Sequence, residues 1–223
     1  MTSTQLKNIM VRSLPLSSVA EIQGGFHAPK GINPQTDGTH FIIQARDIDK
    51  GFRVKATTLS RFFPERRPDS YLVSQGDVLF LARGAPHFAV LIDTPIKNTL
   101  ASGAFHVLRP KVGFILPAFL AWWLNQPPAQ SFLKSCSSGT NLPFLAKKQL
   151  EELIISVPEI STQMAVIRIN QLFDREENLS ELITKKRAKL ASLACSALCG
   201  GAKLTAPQKS RQSPRTSAEP SKE

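Results

Sequence analysis

Catalytic signatures are what this chain has least of. It carries no GxxxxGK[ST] phosphate loop, no HExxH metal pair and no GxSxG nucleophile elbow. Its histidines, His27, His40, His87 and His106, are scattered over predicted loops and strands, with no Cys or Ser nucleophile in a motif beside them. Pro68-Asp69 lacks the acidic-x-Lys partner that a metal nuclease places one strand later. Asn125-Gln126-Pro127-Pro128 is out of register with the Asn-Pro-Pro-aromatic signature of amino-methyltransferases. A glycine-rich strand-to-helix turn of the kind that holds S-adenosylmethionine is missing too. The sequence therefore predicts a chain that catalyses nothing alone and carries no cofactor.

Cysteine is also scarce. Cys136, Cys195 and Cys199 make neither an even disulfide framework nor a CxxC pair, which predicts reduced thiols and no zinc site. No apolar run approaches 18 residues, and the N-terminus lacks the uninterrupted apolar core of a signal peptide, so a cytoplasmic protein without membrane contact is expected. Acidic residues are the third shortage. The 223 residues carry a formal net charge of +11, and residues 1–150 hold 17 Lys/Arg against 8 Asp/Glu. A surplus of that size in the part expected to be globular points to a polyanion partner, nucleic acid before membrane.

What the chain has in abundance is one uninterrupted helical pattern. After Val157-Pro158 it runs without Pro or Gly from Glu159 to Cys199 and stops at Gly200-Gly201. Pro158 bars helix at Val157, and Ser161 or Thr162 is placed to cap the first turn. At about 1.5 Å per residue the helix spans about 55 Å, roughly one and a half turns of B-DNA. Steps of three and four pick out Leu172, Glu176, Leu179, Ile183, Lys186, Leu190 and Leu193, an apolar stripe with two charged interruptions. A stripe so narrow predicts a partner helix, as in a homodimer; the alternative is a long helix packed on its own domain. Past it, residues 200–223 hold three prolines, four serines and one leucine, too little apolar surface to fold.

Ahead of the helix, the pattern predicts an α+β domain over 1–158. LPLSSVAEI (14–22) has the look of a short helix; HFIIQARDI (40–48) and FRVKATTLS (52–60) look like strands, the second alternating apolar and basic residues. Val78 to Ala82 is wholly apolar, as a buried strand is, and FAVLID (88–93) and GAFHVLRP (103–110) follow it. Connections are too short for helical crossovers, so a mostly antiparallel, curved or barrel-like sheet is expected. Helices are then predicted at 116–126, closed by Pro127-Pro128, at 129–136 and at 146–153, with a short strand at 154–158. Trp122 and Trp123, adjacent on one helix, are expected to pack and not to stack on bases.

The order of these parts resembles the DNA specificity subunit of type I restriction-modification enzymes, in the form of a single target recognition domain (1–158) with a single spacer helix (159–199) and a basic tail (200–223). The resemblance is carried by LPLSSVAEIQGGF (14–26), HFIIQARDIDKG (40–51), SQGDVLFLARGAPHFAVLI (74–92) and above all SSGTNLPFLAKKQLEELIISVPEISTQMAVI (137–167). Thr162 departs from the Glu the family places before the residue matching Gln163, and nothing in the chain repeats, whereas a full subunit resembles two such patterns in tandem. What the resemblance implies is a non-catalytic subunit that binds double-stranded DNA. It would direct a separate DNA methyltransferase, which uses S-adenosylmethionine, to a bipartite target, with a restriction/translocase subunit as an optional further partner. A decoy that sequesters the methyltransferase without supporting methylation is the alternative.

Recognition of DNA needs cations on phosphates and forked or planar side chains on base edges. The candidates are Lys30 in the first loop, Arg46 at a strand end, Arg61, Arg66 and Arg67 in the proline-rich loop, Arg83 and His87 flanking Gly84-Ala85-Pro86, and Lys134, Thr140, Asn141, Lys147 and Lys148 around a Ser-Gly-Thr turn. Arg83 is the preferred base reader, because it follows a rigid buried strand. Arg66 and Arg67 could instead pair with Glu65 and Asp69.

Overall fold

The computed structural model describes residues 11–136 and 143–198. They divide into two units, one ending at Arg175 and one beginning at Glu176.

The first unit is built on β5 (Val78–Leu81), the strand whose four residues are all buried. Its alternation feeds two cores at once. Val78 and Phe80 point into one with Leu108, Leu120, Leu124 and Leu133, while Leu79 and Leu81 point into another with Ile43, Val90, Phe105 and Val107. A strand covered on both faces has no polar side to show, which is why this run reads as continuously apolar. Around it lies a four-stranded antiparallel sheet in the order β2 (Ala20–Gly24), β8 (Phe105–Pro110), β5, β6 (Ala89–Leu91). A second sheet, β4 (Ser60–Phe62), β3 (His40–Ile43), β7 (Thr99–Ala101), has β3 antiparallel to β4 but parallel to β7. Ile42 faces a third cluster with Phe26, Phe62 and Leu100, and Ile43 faces the other way, into the second core. The α+β class and the mostly antiparallel pairing are as expected from the sequence, and the sheets are open.

Several local expectations are corrected. Residues 14–22 are not one helix: β1 (Arg12–Pro15) and β2 flank a single turn, α1 (Leu16–Val19), because Pro15 and Ala20 are both extended. Long-range pairing wins here, β1 with β9 (Ile154–Val157) and β2 with β8. Close approach decides the next step, since a Cβ on Gly25 would collide with the backbone carbonyls of Ser102, Ala101 and Phe105. Residues 52–60 are not a strand either. Asp47 accepts the N–H of Gln44 at 2.9 Å and Asp49 that of Arg53 at 2.9 Å, and these side-chain bonds hold turns and a 3₁₀ segment (Ala56–Thr58) where alternation suggested a ladder.

Helix α2 (Pro117–Leu124) opens on Pro117 as predicted. Pro127-Pro128 begins α3 (Pro127–Cys136) and so does more than end α2, proline being compatible with a first helical turn. Trp122 and Trp123 pack against the first core. Asn125 ties the sheet edge: its Oδ1 accepts Ala89 N–H at 2.8 Å and its Nδ2 donates to Ala89 O at 2.9 Å. This pairing satisfies outward groups of edge strand β6 and gives Asn125 a structural role.

Helix α4 (Lys147–Glu151) and β9 lead to α5 (Ile160–Leu198), 39 residues long. Ser161 and Thr162 lie inside α5 and do not precede it, so neither caps it; its first turn is tied instead by Gln163, which is fully buried. The described part of the second unit is the continuation of α5 from Glu176. Lys185 and Glu181 form an i,i+4 pair there at 3.1 Å. The stop at Gly200-Gly201, Cys199 and the tail lie outside the described residues. No described helix is long and apolar enough to cross a membrane.

Candidate nucleic-acid interface

The predicted basic residues fall into two neighbourhoods of the first unit. One surrounds the β3–β4 pair. Arg61 stands opposite Phe41 in the register and lays its guanidinium over that ring, 4.7 Å from the centroid. Arg46 follows β3 in a 3₁₀ turn and donates to Ser60 Oγ at 3.2 Å, so a strand end and its neighbour hold these two arginines at one sheet. The loops beside them enclose a cavity of about 160 Å³, with Phe26, His27, Gln35, Phe62, Phe63 and Arg66 in its wall. Lys30 reaches Glu65 at 3.6 Å, which lowers the net charge of this loop pair. Arg66 and Arg67 are exposed, and neither forms the ion pair with Glu65 or Asp69 that the sequence allowed, among the described residues.

The second neighbourhood is assembled from three distant segments. After β5, Ala82 O accepts Leu145 N–H at 2.9 Å and Pro143 O accepts Gly84 N–H at 2.9 Å, so residues 143–145 lie along the strand's end and Arg83 bridges Phe144. Arg83 is exposed, with its guanidinium 5.1 Å from the centre of the Phe144 ring. Lys147 and Lys148 open α4 directly after this segment. Lys147 pairs with Glu151 at 3.5 Å, while Lys148 is exposed. Lys134, in the last turn of α3, lines an open apolar hollow with Ala85, Pro86, His87 and Pro127. Thr140 and Asn141, and the Ser-Gly-Thr turn that holds them, lie outside the described residues.

His87 is a correction. It was expected at the surface, but it is 7% exposed, stacks on Phe80 at 5.9 Å and donates from Nδ1 to Leu81 O at 2.9 Å. A side chain so placed shapes the turn and has little of its surface left to offer DNA. Arg109 is likewise structural, held by Gln23 Oε1 at 2.7 Å, Leu72 O at 3.2 Å and the Asp77 carboxylate at 3.7 Å. Burial pushes the Asp77 carboxyl above the ordinary range, against the opposing pull of the Ser74 N–H and Arg109.

Two contributors escaped the sequence reading. Phe144 is 46% exposed in the middle of the second neighbourhood. Beneath it lies buried His106, its ring 6.3 Å from Phe144, donating from Nε2 to Leu145 O at 3.0 Å. Burial lowers the His106 pKa, the Leu145 carbonyl opposes this, Lys147 adds to the lowering and Glu151 opposes it. The only sequence cue was an apolar residue beside a polar turn, which marks many loops. Among the described residues no three His, Cys, Asp or Glu side chains gather as a metal site would require.

The predicted apolar stripe on α5 is open to solvent: Leu172 in the first unit, and Leu179, Ile183, Leu190 and Leu193 in the second, are all about half exposed or more, with Leu190 at 68%. Glu176 and Lys186 are exposed as well.

No protein-family model matches the chain. A curated relative, the type I restriction enzyme EcoBI specificity subunit of Escherichia coli, is 25% identical over 127 residues, 56% of this chain and 27% of that protein. Among solved structures, the HsdS subunit from Thermoanaerobacter tengcongensis superposes with a TM-score of 0.63 at 19% identity, over 91% of this chain and 53% of that one. The type I restriction-modification S subunit from M. genitalium gives 0.55 at 17% identity, over 86% and 47%. The chain thus has the fold of type I specificity subunits, as its sequence motifs suggested, and spans about half the length of the solved subunits and about a quarter of the curated relative.

Proposed function

We propose that the chain is the DNA-recognition component of a type I restriction-modification system, equivalent to one half of a specificity subunit. The observation that carries this reading is the proportion of the match: almost all of this chain, one α+β unit and one long helix, corresponds to about half of a solved subunit. The surplus of cations in residues 1–150 supports double-stranded DNA as the ligand. In this reading residues 1–158 form the target recognition domain, 159–199 the spacer and dimerisation helix, and 200–223 a basic tail. Arg46, Arg61, Arg66, Arg67, Arg83 and Lys148 have no carboxylate within ion-pair distance among the described residues, so they are the readiest to meet phosphates or base edges. Lys30 and Lys147 exchange one partner for another on binding.

The chain supplies specificity, and a separate methyltransferase subunit carries the S-adenosylmethionine and the chemistry; a restriction/translocase subunit joins where one exists. Two copies, paired through the stripe on α5, would complete a two-domain subunit and read a bipartite target in the cytoplasm. The test is selection of randomised duplex DNA by the full chain. Enrichment of a defined sequence over bulk supports the reading, and binding that enriches nothing contradicts it.

A further inference from the structure

We infer that Arg83 and Phe144 act as one recognition element, in which Phe144 positions the Arg83 guanidinium for a two-bond contact with the O6 and N7 of a guanine in the major groove. This rests on the DNA-recognition reading and names the residue pair and base that it requires.

Backbone fixes the pair first. Arg83 donates its N–H to Ala104 O at 3.0 Å and bridges Phe144, and the flanking bonds Gly84 N–H to Pro143 O and Leu145 N–H to Ala82 O hold the two segments together on both sides. Residues opposed in an antiparallel bridge project their side chains to the same side, and this places the ring beneath the guanidinium. Phe144 is itself steadied by His106, which packs on the ring and bonds the carbonyl of Leu145.

Side-chain chemistry then separates this arginine from the others. A guanidinium held over a ring by cation–π attraction loses rotational freedom while its N–H groups stay available for acceptors elsewhere. Arg83 has no carboxylate within ion-pair distance among the described residues, so the fork is not already occupied. Arg61 also lies over a ring, but its partner Phe41 sits in a strand pair, whereas Arg83 lies at the first turn beyond a strand buried at all four of its residues. A planar fork held at fixed orientation suits the paired acceptors of guanine.

The test is selection on randomised DNA with the full wild-type chain, Arg83→Ala, Arg83→Lys, Phe144→Leu, Phe144→Tyr and the Arg83→Ala/Phe144→Leu double variant, each checked for folding by thermal melting. Arg83→Ala should lower preference for guanine at one position by roughly tenfold or more, as loss of a two-bond contact does. Arg83→Lys should not restore it, lacking the fork. Phe144→Leu should relax the same position, Phe144→Tyr should keep it, and the double variant should be no worse than Arg83→Ala. If Phe144→Leu leaves an enriched motif unchanged, or weakens all sequences alike, the assignment is overturned while the recognition reading stands. A wild-type chain that enriches no motif overturns both.

Discussion

The side-chain carbonyl of buried Gln163 accepts the backbone N–H of Leu116 at 2.8 Å, and its amide donates to Phe114 O at 3.1 Å and Pro158 O at 2.8 Å. One residue in the first turn of α5 thereby satisfies three backbone groups near the start of α2 and the end of β9. Gln163→Ala would leave these groups unpaired inside the protein, and an unsatisfied buried polar group costs about 1–3 kcal/mol. We expect a loss of roughly 2–4 kcal/mol for the variant on that basis, read as a lowered midpoint in urea with an unchanged slope. A loss below the error of the measurement would mean that water replaces the amide at no cost.

Two buried titratable groups pull stability in opposite directions as pH changes. Asp77 has a raised pKa in the fold, so the folded state holds its proton more tightly; its unfavourable contribution at neutral pH fades as pH falls through that raised value. Asp77→Asn should therefore be neutral to stabilising at pH 7, with its advantage over the wild type shrinking in acid. His106 is the reverse: its pKa is lowered, so its contribution is complete above the unfolded value, about 6.5, and is lost as pH falls through the lowered one. His106→Gln should reduce the acid sensitivity of the melting temperature below about pH 6.5. Melting curves across pH for both variants check this, and parallel profiles for His106→Gln and wild type would contradict it.

The apolar stripe predicts association. Complete burial of Leu172, Leu179, Ile183, Leu190 or Leu193 contributes roughly 1.5–3 kcal/mol, so covering the roughly half or more of each that is exposed contributes about half that range per side chain. An antiparallel pair centred on Glu181 would bring Glu176 of one copy near Lys186 of the other, twice, whereas a parallel pair would set Glu176 against Glu176. Light scattering should therefore find a dimer at micromolar concentration, and Ile183→Glu with Leu190→Glu should give a soluble monomer. A monomeric wild-type chain would count against the pairing.

Binding to DNA should weaken steeply with salt, log affinity falling by about 0.9 per phosphate contact for each unit of log salt. Removing residues 200–223 takes away five cations and two anions, so non-specific binding should drop modestly while the preferred sequence stays the same. A changed preference would make the tail a reader of bases.

The parts of this fold that could be read from sequence are those with local causes. The uninterrupted pattern after Pro158 and the apolar run at Val78 each carry their own explanation in length or composition. The strands at Arg12–Pro15 and Ala20–Gly24 do not, because their partners, Ile154–Val157 and Phe105–Pro110, lie far along the chain, and helical-looking spacing at 14–22 gave way to that pairing. Polar shortcuts misled in a different way: the carboxylates of Asp47 and Asp49 turn a segment whose alternation suggested a strand. At the candidate site, the cations were visible as charges on loops, but burial of His87 and the meeting of Arg83 with Phe144 depend on segments brought together only by the fold.

In the proposed function, this chain gives a methyltransferase its sequence. Mapping DNA methylation across the genome of cells that express the chain with its methyltransferase tests this role. One symmetric, two-part motif is expected, with half-sites separated by roughly a DNA turn or more, absent without the chain and lost with the Ile183→Glu/Leu190→Glu variant. Methylation at the same sites with and without the chain, or none in the presence of both proteins, would contradict it.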